Sequence, residues 1–115
     1  MFVITNRIPV SEGHEDAFED RFRHSMSGIE KSPGFVKNLI LRPVSRRYDA
    51  KTGAYRESEE RGCYLVQTYW ETEEAFWNWT ASDSFRAAHS DRPPPEMFAG
   101  RNVLEIHQLI LEREA

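Results

Sequence analysis

Three side chains break the pattern of the elements around them and are of types that do chemistry: Asn6, Trp79 and His89. Asn6 stands mid-strand on a face otherwise made of Phe2, Ile4, Ile8 and Val10. A carboxamide there either bonds a neighbouring backbone group or is a donor aimed into a cavity, because burying it without a partner costs roughly 1–3 kcal/mol. Trp79 and His89 are ten residues apart on successive short helical segments, so a break between the segments can turn both toward one hollow. Each also has a simpler explanation. Trp79, three residues after Phe76, suits a core, and His89 in the last turn of a helix is a favourable charge at the negative end of the dipole. His14 and His24 fall on the polar side or edge of the first helix and His107 on a strand, with no carboxylate or cysteine at metal-ligand spacing, so a zinc site has little support. The sequence has no G-x-S-x-G, no P-loop and no glycine-rich dinucleotide fingerprint.

The elements that must position these residues follow from hydrophobic period. Phe2 to Val10 alternates and predicts a first strand. Phe18, Phe22, Met26 and Ile29 recur at spacings of four and three, which predicts an amphipathic helix over about 14–30, with Glu15 and Asp16 suited to its N-terminus. Ser32-Pro33-Gly34 stops it, and Phe35 to Arg42 reads as a second strand ending at Pro43. Residues 44–61 are polar and of mixed charge, with a turn candidate at Asp49 to Gly53 flanked by Tyr48 and Tyr55, and predict a hairpin arm or loop. Gly62 to Trp70 reads as a strand with Tyr64, Val66, Thr68 and Trp70 on one face. Thr72 is placed to cap a short helix carrying Phe76 and Trp79, and Ser82 or Asp83 to cap another carrying Phe85 and His89. A stiff Arg92-Pro-Pro-Pro-Glu96 connector leads to a last strand over Val103 to Leu111.

The order β-α-β-β-α-β predicts an α+β fold, a ferredoxin-like plait with both helical elements on one side of an antiparallel sheet. The second, third and last strands carry apolar residues on both faces, for example Phe35, Leu39 and Leu41 against Val36 and Ile40. Such a sheet needs covering on its second face, and another copy of the same chain related by a two-fold axis supplies the cover. A homodimer is therefore expected.

Composition narrows the class further. The 115 residues and 39% hydrophobic content suit a single domain over 1–115 with one core. Fifteen Lys and Arg against nineteen Asp and Glu give a net charge of −4, which offers no overall positive field for nucleic acid or an anionic membrane. Apolar runs fall far short of the roughly 20 residues of a membrane span. The lone Cys63 and the absence of a signal-peptide pattern after Met1 lead to an expectation of cytoplasmic residence.

The segments Thr5-Asn6-Arg7-Ile8, Arg21-Phe22, Gly28-Ile29-Glu30, Pro33-Gly34-Phe35, Phe76-Trp-Asn-Trp79 and Ser82 to His89 together resemble the haem-degrading monooxygenases of the IsdG type, within the antibiotic-biosynthesis-monooxygenase (ABM) superfamily of dimeric α+β barrels. The resemblance covers about residues 2–42 and 62–91. It implies that His89 is the proximal ligand to haem iron, Asn6 the distal-side donor, and Trp79 the side chain that presses on the porphyrin and bends it. It places Phe22 in the pocket and Arg21 at its edge; Arg92, just past the ligand helix, is a candidate partner for a haem propionate. Haem would then be both substrate and oxygen activator, with the ring opened by dioxygen and external electrons and the iron released. With no flavin site and one cysteine, a separate reductase is implied. Ligation by an imidazole competes with its protonation, so haem affinity is expected to fall in acid. The 44–61 arm is longer than in compact members of the family, and the Pro93-Pro94-Pro95 connector differs. Two other functions fit the fold: a cofactor-free ABM-type monooxygenase acting on a quinol or polyketide with His89 as base, and a haem carrier that holds haem without destroying it.

Overall fold

Alternation along Tyr64–Trp70 decides the centre of the molecule. In the computed structural model, which describes residues 1–24, 28–57 and 61–115, this strand buries every second side chain: Tyr64, Val66, Thr68 and Trp70. The strands are β1 (Phe2–Ile8), β2 (Phe35–Leu41), β3 (Arg46–Asp49), β4 (Ala54–Glu57), β5 (Tyr64–Trp70) and β6 (Val103–Gln108). The helices are α1 (Glu15–His24), α2 (Glu73–Thr80) and α3 (Asp83–Ala88), with single 3-10 turns at Ile29–Lys31 and Pro95–Met97. The main sheet is antiparallel in the order β2-β5-β1-β6, and β3 and β4 form a separate two-stranded sheet. With the β3–β4 hairpin set aside as an insertion, this is the ferredoxin-like α+β plait that the element order predicts.

One face of the sheet carries the core. Ile8, Val10, Phe18, Tyr64, Val66 and Met97 form one buried cluster, and Ile4, Ile29, Trp70, Phe76 and Trp79 form a second. The opposite face carries Leu39 and Leu41 of β2 and Val103 of β6, all exposed, with Leu65 and Tyr69 between them. Polar pairs lie among them: Gln67 Nε2 donates to Thr5 Oγ1 at 3.3 Å, Arg7 stands 3.6 Å from Glu105, and Lys37 Nζ sits 4.6 Å above the Tyr69 ring.

Several elements depart from the expectations above. β1 stops at Ile8, because Pro9 has no N–H to offer the ladder, and Val10 returns only as an isolated bridge to Phe98. α1 is described over Glu15–His24, and Met26, expected on its apolar stripe, lies outside the described residues. Ile29 is buried from a separate 3-10 turn that follows Gly28, whose φ of 100° a continuous helix does not accept. A bulge between Phe35 and Lys37 moves Phe35 to the helix-covered face, opposite Trp70 at 5.4 Å, while Leu39 and Leu41 stay on the other. Strict alternation groups all three. β6 ends at Gln108, which pairs with Phe2, and the next residue, Leu109, donates its N–H to Met1 O at 2.9 Å.

The arm is a two-stranded hairpin with Tyr48 and Tyr55 face to face at 5.3 Å between ring centroids. Its turn is closed by Gly53 N–H donating to Asp49 O at 2.8 Å and Lys51 N–H to Asp49 Oδ1 at 3.0 Å. Both of its stalks are tied to α1: Arg42 donates to Glu19 on the entering side, and Arg61 to Glu15 on the returning side. None of the described helices is long and apolar enough to cross a membrane.

Candidate functional site

The placement of His89 begins with two helix caps. Thr72 Oγ1 accepts from Ala75 N–H at 3.1 Å and starts α2. Ser82 does two things at the α2–α3 elbow: its hydroxyl accepts from Phe85 N–H at 3.2 Å and donates to Trp79 O at 2.6 Å. α3 buries none of its own residues fully, and Phe85 is set edge-on to Trp79 at 4.9 Å. His89 is the C-cap of this helix. Its ring stacks on Phe85 at 4.0 Å, and its Nδ1 lies 2.8 Å from Phe85 O. A carbonyl only accepts, so Nδ1 carries the proton and Nε2 is the nitrogen left for a ligand.

His89 opens onto a cavity of about 870 Å³, in the upper part of the range for small-molecule sites. Asn6 and Ile8 of β1 line it from the sheet; Phe18, Asp20, Arg21, Phe22 and His24 from α1; Ala87 to His89 and Asp91 to Pro93 from the end of α3; and Met97, Phe98 and Asn102 from the segment before β6. The body of the cavity is apolar, with Phe18 and Phe22 at 4.9 Å from each other, and its rim is charged by Asp20, Arg21, Asp91 and Arg92. Asn6 is half-buried on the helix-covered face, in register with Val66 and Leu104, and its carboxamide has no hydrogen bond among the described residues. Arg92 is exposed and likewise has no partner among them. Arg21 is engaged, donating to Asp91 O.

Five of the six residues singled out from the sequence thus line one cavity: Asn6, Arg21, Phe22, His89 and Arg92. Trp79 does not. It is buried behind the wall, 6.3 Å from His89 and 5.8 Å from Trp70 between ring centroids. The two tryptophans differ in one respect. Trp70 Nε1 donates to Thr68 Oγ1 at 2.8 Å, whereas Trp79 Nε1 is buried with no acceptor among the described residues.

Sequence reasoning missed His24. It lines the cavity with Nδ1 held 2.8 Å from Asp20 O, the same i−4 carbonyl clamp that holds His89. Its spacing of three from Arg21 was the available signal. Met97, Phe98 and Asn102 were also missed, since the proline-rich connector carries no period that would aim them inward.

The family model of the antibiotic biosynthesis monooxygenases matches residues 1–91. The chain belongs to this family. It is 33% identical over 105 residues to a heme oxygenase (mycobilin-producing) of Mycobacterium tuberculosis, covering 91% of this chain and 86% of that one. It is 37% identical over 92 residues to a heme oxygenase (staphylobilin-producing) of Staphylococcus haemolyticus, covering 80% and 76%. Its fold superposes on the M. tuberculosis heme-degrader MhuD with two hemes bound in its active site, at a TM-score of 0.72 and 29% identity over 99% of this chain and 100% of that one. A mutant of MhuD with two manganese protoporphyrin IX bound per active site gives 0.75 and 30% identity, with both chains fully covered. The homologues of this ABM protein are therefore heme oxygenases of the IsdG and MhuD type.

Proposed function

We propose that this ABM protein is a haem-degrading monooxygenase that binds haem through His89 and opens the porphyrin with dioxygen and electrons from a separate reductase, releasing iron. The observation that carries the reading is the His89 clamp. An imidazole whose Nδ1–H is held by a backbone carbonyl, with Nε2 left free beside an apolar cavity, is the usual arrangement of a metal-ligating histidine. Haem, when bound, supplies iron-centred oxygen chemistry and is itself the molecule consumed.

The other residues fit that ligand by chemistry. Ile8, Phe18, Phe22, Met97 and Phe98 offer an apolar body from which water is displaced by a flat macrocycle. Arg92 is free to take a carboxylate at the rim, with Arg21 beside the same opening. Asn6 is a donor facing an otherwise apolar wall, and an amide donates without readily giving up its proton, which favours oxidation of the ring over other outcomes. Trp79 acts through Phe85 and His89 from behind, and its buried N–H, with no acceptor among the described residues, is the kind of cost that functional sites retain.

The second face of the sheet, with exposed Leu39, Leu41 and Val103, supports a homodimer in which another copy covers it and completes an α+β barrel. Residence in the cytoplasm completes the reading. The residue roles separate in a pair of variants. His89→Ala should lose the defined haem complex, while Asn6→Ala should bind haem and fail to degrade it. A normal rate of degradation by Asn6→Ala, or an unchanged Soret band in His89→Ala, would contradict these assignments.

A further inference from the structure

The mouth of the cavity already holds an anion that belongs to the protein. Arg21 Nη2, reaching from α1, donates to the backbone carbonyl of Asp91, and Arg21 Nη1 lies 3.6 Å from Asp91 Oδ2. Asp91 sits two residues past His89, so the pair spans from the helix wall to the segment that carries the imidazole. The rim residues are held very differently. The Arg21 side chain is 30% exposed and engaged twice by one residue, whereas the Asp91 side chain is 91% exposed and held by nothing else among the described residues. Arg92, next in sequence, is free among them.

A carboxylate is best recognised by a guanidinium, through charge-assisted and often paired hydrogen bonds. Haem carries two carboxylates on one edge, and this rim carries two guanidiniums, of which only one is available. A ligand carboxylate arriving at Arg21 meets a guanidinium that donates to the Asp91 carbonyl and is ion-paired with the Asp91 carboxylate at 3.6 Å.

We propose that Asp91 is a specificity-determining residue of the carboxylate subsite: it holds Arg21 in an internal ion pair across the cavity mouth, and a ligand carboxylate gains Arg21 only by displacing it. The inference rests on the haem reading and extends it to the propionate edge. Arg92 is then the primary carboxylate receiver, and Arg21 the exchanging one. The exchange sets how much of the affinity for a tetrapyrrole comes from its charged edge rather than from its ring.

The test compares ferric protoporphyrin IX with its dimethyl ester, which keeps the ring and iron and removes both charges. Each is titrated into the whole protein by Soret absorbance, in the wild type, Asp91→Asn, Arg21→Gln and the double variant. Asp91→Asn keeps the backbone carbonyl, removes the competing carboxylate, and alters a side chain exposed enough to leave folding intact. It should tighten haem binding about two- to five-fold, the size of an exposed ion pair, and leave the ester unchanged. In the Arg21→Gln background the same substitution should have no effect on haem. Equal tightening for haem and ester, or the same tightening with and without Arg21, would overturn the inference while leaving the haem reading intact. Binding of neither porphyrin by the wild type would overturn both.

Discussion

Replacing Glu19 by glutamine takes one negative charge out of the joint between α1 and the sheet. Glu19 accepts from Arg42 Nε at 2.8 Å and from Arg42 Nη2, accepts from the Tyr64 hydroxyl, and lies 3.6 Å from Arg23 Nη2. Its own side chain is 12% exposed and that of Arg42 is 67%. Arg42 first and then the Tyr64 hydroxyl hold the Glu19 carboxyl at a pKa of about 2, against its ordinary 4.5. A shift of that size corresponds to roughly 3 kcal/mol, but solvent around Arg42 screens the pair, leaving about 1–2 kcal/mol. The sign follows from the lowered pKa. The folded state prefers the charged form, so the contribution is whole above pH 4.5 and is lost as pH falls toward 2. Glutamine resembles the protonated acid and never has the contribution to lose. Urea unfolding of both proteins at steps between about pH 7 and pH 2.5 should therefore show the variant weaker by about 1–2 kcal/mol at neutral pH, with the gap closing below 4.5 and m unchanged. A gap that stays constant across that range, or no gap at neutral pH, would refute the reasoning. Tyr64 adds an alkaline limb: burial first, then its bond to Glu19, push the phenol up to about 12 from 10, so wild-type stability should fall between those values as pH rises.

The other predictions concern the elements behind the cavity. Gly34→Ala puts a methyl group 2.6 Å from Ala75 Cβ at a φ of +82°, and should cost about 2–3 kcal/mol by denaturant melt. Ser82→Ala removes the cap of α3 and should cost about 1 kcal/mol while weakening haem binding, because that helix ends in His89. Trp79→Phe gives up packing volume but also removes a buried N–H without an acceptor among the described residues; these oppose each other, and the net change in stability should stay within about 1 kcal/mol. Sedimentation should find two chains per particle, and a monomer at micromolar concentration would defeat the covering of the Leu39 and Val103 face.

Period carried most of the fold into view. β5 alternates without interruption, and the N-caps of α2 and α3 announce themselves as a Thr or Ser ahead of an acidic turn. What stayed hidden depends on contacts between distant parts of the chain. The bulge in β2 is settled by Phe35 meeting Trp70, which alternation within one strand cannot foresee. The end of β6 goes with its register against β1, Gln108 opposite Phe2, which its own alternation does not show. The site divides in the same way. Asn6 stood out because an amide on an apolar face is chemically out of place, whereas Phe22, on the same helical stripe as Phe18, was placed in the pocket by the family resemblance. His24 did not, since a histidine at the end of an exposed helix looks ordinary until the cavity on that side is known. The Arg21 bond to Asp91 joins residues 70 apart, and no local pattern marks it. Trp79 was legible as an aromatic of consequence, while its place behind His89 and off the cavity lining depends on packing that no local pattern carries.

The central claim is that His89, Asn6 and the apolar cavity between them receive haem and that the protein then destroys it. Ferric haem titrated into the protein should give a saturable Soret shift, and addition of an electron donor in air should bleach that band while free iron appears in a chelator assay. A stable band under the same conditions would make the protein a haem carrier, and no shift at all would contradict the account outright.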